Sequence, residues 1–396
     1  METLSRADAR RLLVAHLGLA RSLGRGRAGT RKVLDRLRCI QLDPLDPIGT
    51  NADLVVMART EGVARGDVWR HLFPREAFEH FAKERCILPA SAFPWYRVQG
   101  HAAQTPWWRH GEREQRLAPR LIAAVLEEVR ARGPLTARDL TDHGEVEPID
   151  WAGWRGTAKA TSMALEVLWT RCDVVVAGRT SSGAKLYDVP ERALGRDVAT
   201  EKPRGDFARW ALRERAHAAG LLTRASGAMW SMLSNVRTSG VVDAMLADGE
   251  LVEVAIEDSA RRYLAVPSFL TTPRPRYDDR VRILGPLDPL LWDRDLVRHV
   301  FAFEYVWEVY KPAAQRRWGW YVCPLLHHDR FLGRLDARID GKRLVVSKLW
   351  LEDAATVSGD DRSARASGDD RSAIVAALER HAELCGAEGV KMPRRW

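Results

Sequence analysis

No two of the five cysteines stand at C-x-x-C spacing, and their number is odd. Cys39, Cys86, Cys172, Cys323 and Cys385 therefore offer neither a zinc knuckle nor a disulfide framework, and a reducing compartment is expected. No apolar run approaches the roughly 20 residues of a membrane helix. The first residues also lack the apolar stretch of a secretory leader. A cytoplasmic protein without a membrane partner follows. Lysine is scarce too: the 62 basic residues are nearly all arginine, and against 53 acidic ones they leave a formal charge of +9. That excess suits a polyanionic partner, most simply nucleic acid.

What is present is enough apolar surface, with 15 Trp, for two to four domains in 396 residues. Residues 4–17 carry Leu4, Leu12, Leu13 and Leu17 at helical spacing, with Ser5 or Asp8 as cap. A Gly/Arg-rich loop leads to a helix over 30–38 with Thr30 as N-cap. The run Cys39-Ile40-Gln41-Leu42-Asp43-Pro44-Leu45-Asp46-Pro47-Ile48 must then turn, because Asp-Pro occurs twice. In an extended segment Gln41 and Asp43 share a face and Leu42 points into the core. An amide beside a carboxylate can hold a water and take its proton. Asp43 can equally be a turn former. Asn51 to Arg59 resumes an apolar pattern, and Phe73 to Leu88 reads as a helix with Pro74 in its first turn.

Trp107 and Trp108 fit either a domain junction or a base-stacking platform. A helix over 117–132 stops at Gly133-Pro134. A short helix over 135–140 capped by Thr136, a third over 157–171, and strands at 173–177 and 184–189 follow. This is the winged-helix order, in which the third helix (Lys159, with Trp154 and Arg155 before it) faces DNA and the wing (Arg179, Lys185) touches phosphates. Helices at 206–219, 226–234 and 239–248 with strands at 251–256 and 262–266 repeat it. From Thr271 a β-rich segment is expected, with strands at 305–312 and 318–324, more after them, and a closing helix over 372–385. Ser-Gly-Asp-Asp-Arg-Ser-Ala occurs at 358–364 and again at 367–373 and suggests no chemistry. His327 and His328, adjacent in a strand or turn, point to opposite sides and give no metal site.

Six stretches resemble the winged-helix alkylpurine DNA glycosylases, the AlkZ-like family that includes interstrand-crosslink repair enzymes. They are Ile40-Gln-Leu-Asp43, Phe78-Glu-His-Phe-Ala82, Pro286-Leu-Asp-Pro-Leu-Leu-Trp-Asp-Arg294, Phe303-Glu-Tyr-Val-Trp-Glu-Val-Tyr-Lys-Pro312, Arg316-Arg-Trp-Gly-Trp-Tyr-Val-Cys-Pro324 and Gly333-Arg-Leu-Asp336. The resemblance implies an α+β fold of three tandem winged helices (1–115, 116–200, 201–275) and a β-rich C-terminal domain (276–396), which together form a concave DNA-binding surface. It places catalysis on Gln41 and Asp43. DNA contacts are expected beside it from Asn51, Lys83, Lys159, Arg179 and Lys185, and Gln315, Arg316 and Arg317 form either a minor-groove probe or a surface turn of the β-rich domain. The chain departs from the crosslink-repair members at Lys83, where they carry His, and at Gly49–Asp53.

The implied partner is duplex DNA holding a cationic N7-alkylated guanine, met by a monomer without metal or cofactor. The base already carries its positive charge and leaves neutral, so no general acid is needed; a carboxylate that stabilises the oxocarbenium-like sugar and activates water suffices. Lys83 as a Schiff-base former is the less favoured alternative to a phosphate contact. Two rivals remain at this point. One is a non-enzymatic tandem winged-helix regulator. The other is a metal-dependent nuclease built on Asp43, Asp46 and Asp53. Repair in general and self-resistance to one bulky natural-product adduct are both compatible with the glycosylase reading.

Overall fold

The computed structural model describes residues 2–100, 107–148, 157–352 and 368–394. Trp154, Arg155, the first copy of the duplicated heptapeptide and the side chains of Trp107 and Trp108 lie outside the described residues. The chain is α+β and divides into two compact units. One comprises Met1–His71, Leu212–Trp230 and Asn235–Trp396; the other comprises Leu72–Ala211 and Ser231–Ser234.

In the first unit the opening helix is Arg6–His16, capped by Ser5, whose Oγ accepts the Asp8 N–H at 3.0 Å. A three-residue strand before it, Glu2–Leu4, is too short to show alternation in sequence. It runs parallel to Val252–Ile256 in a four-stranded sheet completed by Arg262–Ala265 and Leu222–Thr223. The second helix is Gly26–Leu37 rather than 30–38. Thr30 lies inside it and donates from Oγ1 to the Gly26 carbonyl (3.0 Å), so Arg25 stands at the cap position instead. The end does fall where expected: Arg38 takes a left-handed conformation (φ 62°) and its N–H closes on the Leu34 carbonyl.

The C-terminal part of this unit is a five-stranded sheet in the order Arg282–Ile283, Val322–His327, Arg330–Asp340, Arg343–Leu351, Gly389–Lys391; only the last pairing is parallel. The helix Gly368–Leu384 lays Ile374, Ala377, Leu378 and Ala382 on Val281, Tyr321, Leu325, Leu335 and Leu344. Each fully buried aliphatic side chain there is worth roughly 1.5–3 kcal/mol. Ile48 and Leu54 join the same cluster, so the Gln-Leu-Asp turn is moored in this core.

The strand expected at 305–312 does not form. Phe303 and Tyr305 alternate inward and Glu304 outward, yet the segment has no ladder partner among the described residues. Its anchors are side chains: Tyr305 donates its hydroxyl to the Val322 carbonyl (2.8 Å), and Phe303 stacks on Phe331. Alternation records a buried face, not a paired edge.

In the second unit the helix expected over 73–88 is a β-hairpin, Ala77–Ala82 against Glu84–Pro89, with Phe78 opposite Leu88 and His80 opposite Cys86. Ala77, Phe78, Glu79 and His80 are all buried, so no one-sided pattern marks the strand, and a short apolar run reads equally as helix. Glu84, at φ 59°, lets the chain reverse after Lys83. Helices Trp107–Gln115, Leu121–Arg132 and Ala160–Thr170 precede the hairpin Val175–Arg179 and Lys185–Asp188. The short helix expected over 135–140 is only a turn. Thr136 donates from both its N–H and its hydroxyl to the Asp139 carboxylate (2.8 Å each), and that closure competes with helix propagation.

Candidate active site

The strand Ile40–Gln41 ends before Asp43, so the two-residue alternation does not reach the acid. Gln41 is buried, and Leu42, expected in the core, is only half-buried. Asp43 lies half-buried in the turn. Its Oδ1 accepts the Leu45 N–H at 2.9 Å, closing the loop over Pro44. It makes no ion pair among the described residues. Burial raises its carboxyl above the usual aspartate range, against the opposing Leu45 N–H.

The turn is held from several sides. Asn51, wholly buried, donates from Nδ2 to the Gln41 carbonyl (2.7 Å) and accepts the Leu287 N–H on Oδ1 (3.1 Å). The expected DNA contact from Asn51 is therefore corrected: both ends of its amide serve the main chain, and it is a positioning residue. Gly285 passes so close that a Cβ there would sit 2.5 Å from Asn51 Oδ1. Thr50 and Asp53 form a capping box at the start of the helix Asn51–Met57, and Asp53 also accepts the Gly66 N–H. Pro47 accepts the Ile339 N–H at 2.7 Å. Ile48 accepts from His381 Nε2 at 2.7 Å. Arg65 pairs with Asp46 at 2.7 Å. Of the three acids in the nuclease reading, Asp46 and Asp53 are thus engaged in loop structure.

Behind the turn, Arg59 and Asp288 form a two-pronged ion pair at 2.6 and 2.9 Å, both side chains fully buried. The stretch 286–294 is a buttress, joined through Leu287 to Asn51 and through Asp288 to Arg59. One neighbour had no signal in sequence. Tyr321 is buried, and its hydroxyl has no partner among the described residues. Burial holds this phenol protonated, followed by the Cys323 sulfur and the Asp43 carboxylate.

The other expected contacts are dispersed. Lys83 is buried at the tip of its hairpin. Lys159 is exposed and pairs with Asp142 at 2.8 Å. Arg179 pairs with the buried Glu79, and Lys185 lies 3.9 Å from Glu166. Gln315 and Arg317 are exposed and Arg316 half-exposed, on a turn after the short helix Ala313–Gln315. That turn is organised by Glu308, whose buried carboxylate accepts from the N–H groups of Trp318 (2.7 Å) and Arg317 (3.2 Å) and from Lys311 Nζ (2.9 Å).

A family model described as DNA glycosylase AlkZ-like matches residues 34–384, a span that takes in Gln41, Asp43 and the whole buttress. Among solved structures, Streptomyces sahachiroi DNA glycosylase AlkZ is similar to this chain, with a TM-score of 0.59 at 17% identity over 99% of this chain and 100% of that one.

Proposed function

The chain belongs to the AlkZ-like DNA glycosylase family, and from that premise we propose that it is a monofunctional enzyme hydrolysing the N-glycosidic bond of N7-alkylated guanine in duplex DNA. The observation that carries this is Asp43: a half-buried carboxylate without an ion pair among the described residues, on a turn fixed through Asn51, Pro47 and Ile48. A preset negative charge stabilises the cationic sugar as the base leaves, and its oxygen accepts the proton of the attacking water. Gln41 orients that water or the sugar. No acid is asked to protonate the leaving group, since the alkylated base departs neutral.

The segment order supports a DNA-binding reading of the scaffold. Helices followed by a hairpin occur at 121–188 and again at 207–265, the order of two of the three proposed winged helices. Gln315, Arg316 and Arg317 enter the minor groove, where negative potential favours arginine. Lys83 and Lys159 contact phosphates. Arg179 and Lys185 reach phosphate by exchanging their carboxylate partners. The enzyme acts as a monomer on chromosomal DNA, and its substrates extend from N7-methylguanine to bulky natural-product adducts and crosslinks, including those a producing cell must survive.

The test is incubation with duplexes holding one N7-methylguanine or one bulky N7 adduct, followed by alkaline cleavage at the abasic site. Wild type cleaves and Asp43→Asn does not, although both bind the duplex. Equal cleavage by Asp43→Asn removes the assignment. Cleavage of the bulky adduct alone narrows the role to self-resistance.

A further inference from the structure

His327 ends the strand Val322–His327 and pairs with Arg330 at the start of the next, so His328 and Asp329 form a two-residue loop. His328 takes a left-handed conformation, φ 52°. That twist undoes the expected divergence of the two side chains. Their rings lie stacked, with centroids 4.0 Å apart and planes at 26°. The expectation that they point to opposite sides is corrected by this turn, because strand alternation stops at His327.

Both ring nitrogens of His327 are buried and lack a hydrogen-bond partner among the described residues. An unsatisfied buried imidazole costs free energy unless something outside the chain completes it. Asp279 provides the third group: its Oδ1 lies 3.5 Å from His328 Nε2, and ligand atoms of Asp279, His327 and His328 all lie within 4.8 Å of one another. Asp370, buried on the closing helix, stands 3.8 Å from His327 Nδ1.

We propose that His327, His328 and Asp279 bind one divalent transition-metal ion of the zinc class, with Asp370 orienting His327 from behind. Imidazole with carboxylate is the donor set that suits zinc, nickel or copper. His327 ligates through Nε2 while Nδ1–H donates to Asp370, the carboxylate–histidine arrangement that fixes the ring and raises its basicity. Solvent supplies the remaining position. Arg330 competes, since it also binds Asp370 at 2.6 Å. Asp370 therefore stays an outer partner and is not a ligand. The exposed Asp279 side chain is free to rotate the short distance that closes the set. The ion joins two segments of one unit, the approach to the strand Arg282–Ile283 and the 327–330 hairpin turn, and Asp370 links the helix Gly368–Leu384 to them through His327. Its role is a clasp on the C-terminal fold, independent of the glycosylase assignment.

The test uses the untagged full chain, stripped with chelator and titrated with zinc chloride by calorimetry, with thermal melting in parallel. One equivalent is expected to bind and to raise Tm. His327→Gln and His328→Asn each weaken binding more than tenfold and abolish the Tm rise; Asn is chosen because it tolerates the left-handed backbone. Asp370→Asn weakens binding by roughly tenfold. Cobalt in place of zinc gives the intense visible absorption of a four-coordinate site in wild type only. Folded wild type that takes up no submillimolar zinc, or His327→Gln and His328→Asn titrating as wild type does, overturns the proposal. Excision of N7-methylguanine is unchanged in all three variants, which separates failure here from failure of the enzyme reading.

Discussion

Asn51 Nδ2 lies 2.7 Å from the main-chain oxygen of Gln41, and through this bond one buried amide positions the strand that leads into Asp43. The other end of the amide accepts from Leu287, so the turn and the 286–294 buttress share a single side chain. Asn51→Ala leaves a buried carbonyl and a buried N–H without partners, at a cost of roughly 2–4 kcal/mol. Single-turnover excision should fall well beyond the loss in duplex affinity, since the groups displaced belong to the turn. Gly285→Ala is expected to act in the same direction by forcing Asn51 aside, because a Cβ there meets Oδ1 at 2.5 Å. Melting curves and excision time courses on both variants check the pair.

Asp43 gives a prediction with two signs. Its carboxyl is raised above the ordinary range by burial, so the native state holds the ionised form less comfortably than the unfolded chain does. At neutral pH that ionisation costs stability. Asp43→Asn keeps an oxygen to accept the Leu45 N–H and removes the charge. It should therefore lose excision while its Tm stays level or rises. In wild type the rate should fall as pH drops through the raised value, above where an exposed aspartate protonates. A flat rate profile down to pH 4, or a marked fall in Tm for Asp43→Asn, would contradict the assigned environment.

The pair Arg59–Asp288 has no solvent contact on either side. Removing one partner strands a buried charge, and Asp288→Leu or Arg59→Met is expected to cost about 3–5 kcal/mol. The double change Arg59→Met with Asp288→Leu should recover much of that loss, because a desolvated pair replaced by apolar groups is often near neutral. Urea titrations of the three variants give the cycle. Recovery of stability without recovery of excision would show that the pair also sets the geometry of the turn.

Much of this was legible in the residues. The Asp-Pro repeats announced the turn at 43–47, and Gly133-Pro134 marked the end of the helix Leu121–Arg132. Ser5 capped where a short hydroxyl before a helix should. The misreadings have a common physical source: local pattern reports burial but not the partner. Ala77–His80 is buried on both faces, so its strand looked like a helix. Residues 303–305 alternate like a strand yet join no ladder among the described residues and are held by side chains instead. Asn51 looked like a polar contact for DNA because sequence cannot show that the Gln41 carbonyl and the Leu287 N–H converge on it from ten and 236 positions away. Tyr321 and the stacking of His327 on His328 depend on tertiary placement and on one left-handed residue, and neither leaves a trace in spacing.

Glu308 controls the turn that carries Arg316 and Arg317, and its chemistry makes the turn testable. Burial opposes its ionisation, but the N–H groups of Trp318, Arg317 and Gly319 with Lys311 outweigh it and hold the carboxyl at about 2, against an ordinary value of 4.5. A lowered pKa means stability that is present above the unfolded value and lost as pH falls from about 4.5 towards 2. The shift corresponds to a contribution on the order of 3 kcal/mol. Glu308→Gln should be less stable than wild type at pH 7, and the gap between them should close as pH approaches 2. At neutral pH the loosened turn should bind duplex more weakly, as should Arg316→Ala and Arg317→Ala, each lowering the salt dependence of binding by about one phosphate contact. Fluorescence anisotropy at several salt concentrations reads that slope. If Arg316→Ala and Arg317→Ala leave it unchanged while Glu308→Gln still melts early, the turn supports the C-terminal fold and DNA passes elsewhere.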